Sequence, residues 1–186
     1  MKKSKLFNQF SKTPFDTSSP DFYNQTTSFK NKQHYNFLIP HRDYLLDLLL
    51  ALDGVIQSPK YHPESDALYH SLQVFELAIK ESNDPDLWLA ALFHDIGKSI
   101  DSKNHCEIGA EMVSGFFPER VVWIIKHHLD LMKNSKKTKQ KLTNKSQLID
   151  LIKIRKWDLA GRDPNAAVRD VEDALDLVLN ISSPPL

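Results

Sequence analysis

The chain has 186 residues, of which 41% are hydrophobic, so it is long enough for one domain with a buried core and an extension. Lysine plus arginine and aspartate plus glutamate balance at 24 each, and this neutral total indicates neither a nucleic-acid-binding nor a membrane-surface protein. A single cysteine, Cys106, excludes an internal disulfide, and no apolar run is long enough for a signal peptide or a bilayer span, so the sequence predicts a soluble, cytoplasmic protein without a membrane partner.

The first 36 residues differ in composition from the rest of the chain. They are rich in Ser, Thr, Asn, Gln and Lys and show no helical or strand period. Such a composition predicts a partly disordered N-terminal arm over residues 1–36, although phenylalanines such as Phe7 and Phe22 could dock on the body or on a partner. The remaining segment, residues 37–182, is expected to form one domain.

Apolar residues recur at helical spacing from Pro40 onward. The pattern predicts about seven helices and no strand, which together indicate a compact all-α bundle. The helical segments are 41–54, 63–82, 84–98, 105–117, 118–132, 146–163 and 164–180. The lysine-rich segment 133–145 lacks an apolar period and is expected to be a loop, either merely solvated or guiding an RNA or a nucleotide.

Histidines and aspartates recur along successive predicted helices. In chain order they are His70, the pair His94-Asp95, His105, the pair His127-His128 and Asp158. They stand among apolar residues, where an unpaired charge is costly, and one shared metal would compensate them together. Each histidine taken alone is more often an ordinary core or surface residue. A donor set of imidazoles and carboxylates favours Mn, Fe, Ni, Co or Zn over Mg.

This order of residues resembles the His…His-Asp…Asp pattern of the HD-domain metal-dependent phosphohydrolases. The segments that carry the resemblance are "HPESDALYH", "ALFHDIGK", "HCEIGAE" and "WDLAGRDP". They are similar above all to the HD domain of bacterial CCA-adding tRNA nucleotidyltransferases, over roughly residues 50–165. The nucleotidyltransferase head domain has no counterpart here, so the resemblance implies a free-standing phosphohydrolase module of the HD fold.

The resemblance also implies the ligands of one or two divalent transition metals per chain. A first metal would be held by His70, His94, Asp95 and Asp158. Some mononuclear relatives carry a glutamate just after the His-Asp pair, whereas the Lys98 form found here is typical of members with two metals. Asp95 would then bridge to a second metal held by His105 and His127. The family spacing "I-x-x-H" favours His127 over His128 as that ligand.

Several further residues are candidates for contact with substrate. Asp95, Lys98 and His128 are the expected catalytic residues, because Lys98 could meet a phosphate oxygen and His128 could contact substrate or donate a proton. Lys98 could equally be a solvated helix end. Arg162 could clamp a phosphate or form a structural salt bridge, and His62 could line the pocket. The expectation for Cys106 is a small buried filler.

The implied activity is that of a phosphodiesterase or phosphatase. Its substrate would be a nucleotide or an RNA-end phosphate, such as a 2′,3′-cyclic phosphate, attacked by a metal-activated water. One alternative is hydrolysis of a free signalling nucleotide: a cyclic dinucleotide, a dinucleoside polyphosphate or a guanosine polyphosphate. Another is a non-catalytic HD module that binds nucleotide, RNA or protein. Substrate scope separates the first two, metal content separates the third, and the oligomeric state stays open.

Overall fold

The computed structural model of the chain describes residues 35–142 and 144–179. Within these ranges the chain forms eight α-helices and two 3₁₀ turns and no strand, which confirms the all-α prediction. No helix of this part is long and apolar enough to cross a membrane. The predicted N-terminal arm lies almost entirely outside the described residues, so the domain boundary after residue 36 stays a prediction.

The helices have the following bounds. In chain order they are α1 (Arg42–Leu50), α2 (Ala67–Glu81), α3 (Pro85–Phe93), α4 (His105–Val113), α5 (Glu119–His127), α6 (Asp130–Lys141), α7 (Lys145–Ala160) and α8 (Val171–Leu179). One 3₁₀ turn, Asn36–His41, precedes α1, and the other, Ile96–Ser99, follows α3.

Helix α3 is the centre of the fold because it is apolar on every side. Its residues from Leu89 to Phe93 are all fully buried, against α2, α5, α7 and α8. Its start is fixed by Asp84, whose side chain accepts a hydrogen bond from the backbone N–H of Asp86, with Pro85 as first helical residue. The helix therefore delivers the two residues that follow it, His94 and Asp95, into the interior.

The loop between α1 and α2 is tied down at both ends. Gly54 has a φ of 73°, a left-handed conformation that glycine adopts without strain, and this ends the turn after α1. The N–H of Gly54 donates to Oδ2 of Asp66, whose Oδ1 accepts from the N–H of Tyr69 and so caps α2. This double use of Asp66 holds residues 55–65 close to the start of α2.

The lysine-rich segment is helical, so the prediction of a loop there is wrong. Helix α6 covers most of it, with an interruption at Asn134, where φ is −157° and ψ is 84°. Lysine and glutamine are good helix formers. However, α6 buries only Leu131 and Thr138, so the sequence of this segment shows no helical period of apolar residues. By contrast, residues 164–170, which were expected to begin the last helix, are not helical.

Candidate metal centre

Six almost fully buried polar side chains meet at one end of the bundle. They are His70 of α2, His94 and Asp95 after α3, His105 of α4, His128 after α5 and Asp158 of α7, each at most 6% exposed. The sequence predicts all of them as site residues, five as metal ligands and His128 as a catalytic residue. The structure therefore brings together groups that lie up to 88 residues apart in the chain, counted from 70 to 158.

Asp95 is the centre of this cluster, since its two carboxylate oxygens face different pairs of imidazoles. Oδ2 lies 3.3 Å from Nε2 of His94 and 3.8 Å from Nε2 of His70. Oδ1 lies 3.2 Å from Nε2 of His105 and 3.7 Å from Nε2 of His128. This arrangement is that of a carboxylate that can bridge two cations.

The short turn after α3 lies against the start of α4, and Gly97 makes this possible. A Cβ atom at position 97 would stand 2.8 Å from the carbonyl carbon of His105 and 2.7 Å from the amide nitrogen of Gly109, and closer still to the His105 carbonyl oxygen. All three are backbone atoms, which can move only together with the rest of α4. The role of Gly97 is therefore close approach, and that approach places His105 beside Asp95.

Four of the imidazoles are oriented by backbone carbonyls. Nδ1 of His70, His94, His105 and His128 lies 2.7–2.8 Å from the carbonyl oxygens of Gly161, Ala91, Ser102 and Ile125, respectively. A carbonyl only accepts, so Nδ1 carries the hydrogen and Nε2 of each neutral ring presents a lone pair. These four lone pairs converge on Asp95.

The donor set fits a divalent transition metal. Within the described residues, the buried Nε2 atom of His94 has no hydrogen-bond partner. One donor atom each from His70, His94 and Asp95 lie within 4.8 Å of one another, as do those of His105, Cys106 and His128. Buried, unpartnered lone pairs around a carboxylate are stabilised by a cation, and imidazole ligands favour a transition metal over Mg.

Asp158 closes the cluster on the side of α7. Its Oδ1 lies 3.3 Å from Nε2 of His70 and 3.1 Å from Nη2 of Arg162. Burial raises the pKa of Asp158, but the hydrogen bond with His70 and the neighbouring His94 outweigh burial and hold that pKa far below its usual range. Asp158 is therefore ionised and available as a ligand at any physiological pH.

The structure places His128, rather than His127, in the cluster. His128 is 1% exposed and its Nε2 lies 3.3 Å from Nε2 of His105. His127 lies on the outer face of α5, where its side chain is 31% exposed, stacks on Trp123 and bonds Asp130 through Nδ1 at 2.9 Å. His128 therefore occupies the position in the cluster that the sequence-based preference gave to His127, because adjacent helical residues point about 100° apart.

Lys98 and Arg162 both line an open pocket of about 330 Å³ beside the cluster. Lys98 Nζ lies 2.5 Å from Oδ2 of Asp95 and also donates to Oε1 of Gln57. Arg162 pairs with Asp158 and donates from Nη1 to the carbonyl oxygen of Tyr61 at 3.0 Å. The structural salt bridge expected as one possibility for Arg162 is present, and the same guanidinium borders the pocket.

His62 lines the same pocket, and a residue that the sequence did not single out, Glu64, holds it there. Glu64 Oε1 lies 2.7 Å from Nδ1 of His62 and 2.9 Å from Nδ1 of His70. The next residue, Ser65, has a φ of 67°, a left-handed conformation that is strained for serine, two residues before α2 begins. Burial lowers the pKa of His70, but the hydrogen bonds with Asp158 and Glu64 raise it to about 9.

Cys106 also stands at the cluster, although the sequence indicates only a filler. The side chain is buried, with Sγ 3.6 Å from Nε2 of His105 and 4.0 Å from Nε2 of His128. Burial raises the pKa of the thiol, but the bonds to these imidazoles outweigh it and lower that pKa to about 6. Burial lowers the pKa of His105, while its bonds to Asp95 and Cys106 raise it to about 10.

Comparison with known proteins agrees with this arrangement. The family model described as "HD domain" matches residues 67–176, which include all six residues of the cluster. The "Multifunctional CCA protein" of Hahella chejuensis is 40% identical over 80 residues, covering 39% of this chain and 19% of that protein. Proteins of the same name from Teredinibacter turnerae (40% identical over 60 residues; 32% and 15% covered) and Vibrio parahaemolyticus (39% over 70; 34% and 17%) also match. The chain thus matches less than a fifth of the length of these relatives.

Proposed function

The chain belongs to the HD domain family of metal-dependent phosphohydrolases, and we propose that within this family it hydrolyses a phosphate ester of a nucleotide or of an RNA end, such as a 2′,3′-cyclic phosphate. The observation that carries the proposal is Asp95, a buried carboxylate whose two oxygens face two pairs of imidazoles beside a pocket. Two cationic side chains, Lys98 and Arg162, line that pocket. Metal ligands next to paired cations suit a phosphoryl group.

The proposed ligands divide between two positions. His70, His94, Asp95 and Asp158 would hold one metal, and Asp95, His105 and His128 a second. When bound there, a divalent metal supplies Lewis acidity that lowers the pKa of a water and neutralises phosphoryl charge. The backbone carbonyls at the four Nδ1 atoms keep the rings in the tautomer that binds metal through Nε2.

The chain's own cations have a separate role in this proposal. Lys98 and Arg162 are held in place by Asp95 and Asp158, so their positive groups stand at the pocket before any substrate arrives. Groups fixed in advance stabilise developing charge without reorganisation. We assign Arg162 and Lys98 to the phosphoryl oxygens and His62, oriented by Glu64, to the remainder of the substrate.

Helix α6 supports a polyanionic substrate rather than a small free phosphate ester. Its exposed lysines are Lys133, Lys136, Lys137, Lys139 and Lys141. Within the described residues, none of these lysines forms an ion pair. The helix begins at the pocket: Leu129, which precedes it, and Met132, in its first turn, both line the pocket. Unpaired cations on a helix that begins at the pocket attract a phosphate backbone, and we therefore favour an RNA end.

The experiment that tests the proposal is a substrate panel with defined metal loading. Full-length protein with Mn²⁺, Ni²⁺ or Zn²⁺ is offered bis(p-nitrophenyl) phosphate, 2′,3′-cyclic nucleotides and RNA that ends in a 2′,3′-cyclic phosphate. Cyclic dinucleotides, dinucleoside polyphosphates and guanosine polyphosphates complete the panel. We expect hydrolysis of the cyclic-phosphate substrates, with the RNA end preferred over the free nucleotide.

Matched variants complete this test. Asp95→Asn should abolish turnover, whereas His127→Ala, a histidine outside the cluster, should retain it. Preference for a signalling nucleotide would replace the proposed substrate with the alternative. Absence of turnover in protein that carries stoichiometric metal would refute the proposed activity.

A further inference from the structure

Cys106 stands where a ligand of the second metal would stand. We propose that its Sγ is a fourth protein ligand of that metal, beside Nε2 of His105, Nε2 of His128 and the carboxylate of Asp95. The site would then present two imidazole nitrogens and one thiolate sulfur, with Asp95 next to both imidazoles. The inference rests on the proposed function only in that both place a metal at this end of the bundle.

The distances among the three donor atoms agree with one tetrahedral ion. Bonds of about 2.0–2.1 Å to nitrogen and about 2.3 Å to sulfur separate two nitrogen ligands by about 3.3 Å and a nitrogen from a sulfur by about 3.6 Å. The two Nε2 atoms here are 3.3 Å apart, and Sγ lies 3.6 Å from one and 4.0 Å from the other. The three atoms thus already stand close to the corners of such a site.

The tautomers of the two imidazoles suit a metal between them. Each ring donates its Nδ1 hydrogen to a carbonyl, at 2.7 Å in both cases, so in the neutral rings two Nε2 lone pairs face each other. A cation between them satisfies both, together with the sulfur.

A neighbouring group also indicates that a cation binds at this end of the bundle. The ring of His94 lies 5.2 Å from the ring of His128, and its Nε2 is fully buried without a hydrogen-bond partner in the described part of the chain. The donor atoms of His105, Cys106 and His128 form a group of their own within 4.8 Å of one another. A small apolar filler at position 106 would not explain the contacts that Sγ makes with both imidazole nitrogens.

A thiolate ligand changes which metal the second position prefers. Two nitrogens and one sulfur suit Zn²⁺ or Co²⁺ and disfavour Mn²⁺ and Mg²⁺, which prefer oxygen. The sulfur would bind the metal as a thiolate, and any proton still on Sγ would pass to solvent when the metal–sulfur bond forms. The two positions of the centre would therefore differ in metal preference, the one at His70 and Asp158 having only nitrogen and oxygen donors.

The absorption spectrum of the Co²⁺-loaded protein tests this inference. Metal-free, full-length protein is titrated with Co²⁺ while visible ligand-field bands report metal binding and near-ultraviolet absorption reports cobalt–thiolate bonding. Because the chain has one cysteine, any thiolate-to-cobalt charge-transfer band must come from Cys106. We expect that band in the wild-type protein, its complete loss in Cys106→Ser, and its retention in His127→Ala.

The possible outcomes separate this inference from the proposed function. Visible bands without the charge-transfer band in wild-type protein would overturn the role of Cys106 and leave the metal centre intact. No visible bands, and no cobalt in the protein by elemental analysis, would overturn both. The wild-type spectrum decides the question even if Cys106→Ser fails to fold, which circular dichroism would reveal.

Discussion

The contact between Gly97 and the start of α4 gives the sharpest prediction for the geometry of the centre. In Gly97→Ala, the new Cβ would lie 2.8 Å from the carbonyl carbon of His105, whereas two carbon atoms are best separated by about 3.5 Å or more. The backbone of α4 must then move by roughly 0.7 Å or more, because no side chain can yield instead. That movement pushes His105 away from Asp95.

The expected effects follow from this displacement. Overpacking against backbone should lower the free energy of unfolding by about 1–3 kcal/mol. A displacement approaching 1 Å at a catalytic centre can lower kcat/KM by up to about a hundredfold. We expect Gly97→Ala to weaken the second metal position and to leave the first, at His70 and Asp158, able to bind.

Urea unfolding of the metal-free protein and Co²⁺ stoichiometry measure these two effects. The matched control is Gly54→Ala, since a Cβ at Gly54 meets nothing within 4 Å and the only cost is its φ of 73°. That strain amounts to about 1 kcal/mol. If Gly97→Ala unfolded no more readily than Gly54→Ala and bound the same number of metal ions as wild type, the close-approach argument would be refuted.

Three further predictions concern protons, ligands and salt. The raised pKa values of His70 (about 9) and His105 (about 10) mean that both rings are protonated in the metal-free protein at neutral pH. Metal binding at pH 7.5 should therefore release about two protons per chain. The number of protons released should fall as the pH rises through these two pKa values. Calorimetry in buffers of different ionisation enthalpy measures the number of protons released. His128→Ala should bind one metal fewer than His127→Ala by elemental analysis, and equal metal content would contradict the ligand assignment. Replacing the exposed lysines of α6 by glutamine should raise KM for an RNA end at low salt and flatten its salt dependence, while KM for bis(p-nitrophenyl) phosphate stays the same.

The residues of the proposed first metal position could be predicted from the sequence because the helices carry them at fixed phases. His70 lies on the buried face of α2, and Asp158 shares a face of α7 with the buried Ile154. His94 and Asp95 follow a helix that is apolar from Leu87 onward. Burial of these positions follows from helical periodicity alone, and the chemistry of the residues then indicates a metal.

The choice between the two adjacent histidines could have been made in the same way. Val121 and Ile124 are buried on the inner face of α5, and His128 continues that face four residues later. His127 instead follows the half-buried Trp123 on the outer side. The phase of the apolar residues was therefore a better guide than the spacing from a single isoleucine.

Other features were out of reach of the sequence because no periodicity governs them. Glu64 lies in a loop beside Ser65, whose left-handed φ the residue type does not indicate, and no periodicity predicts the contact of Glu64 with His70. The contact of Cys106 with two imidazoles depends on how closely α4 and α5 approach, and Gly109 of α4 lies at that contact, where a Cβ would stand 3.5 Å from Cγ2 of Ile125. Such contacts are properties of tertiary packing, which a single sequence does not specify locally.

The cluster also shows why so many polar groups can be buried in an apolar bundle without unfolding it. Asp95 stays ionised: burial raises its pKa, but His94 and Lys98 beside it lower that pKa well below the usual range. In the metal-free protein, protons on His70 and His105 provide compensating positive charge at neutral pH. A metal replaces those protons at the same nitrogen lone pairs, so the charge balance of the interior is kept in both states. The fold can therefore form before the metal binds, and binding exchanges one kind of cation for another at a site that is already built.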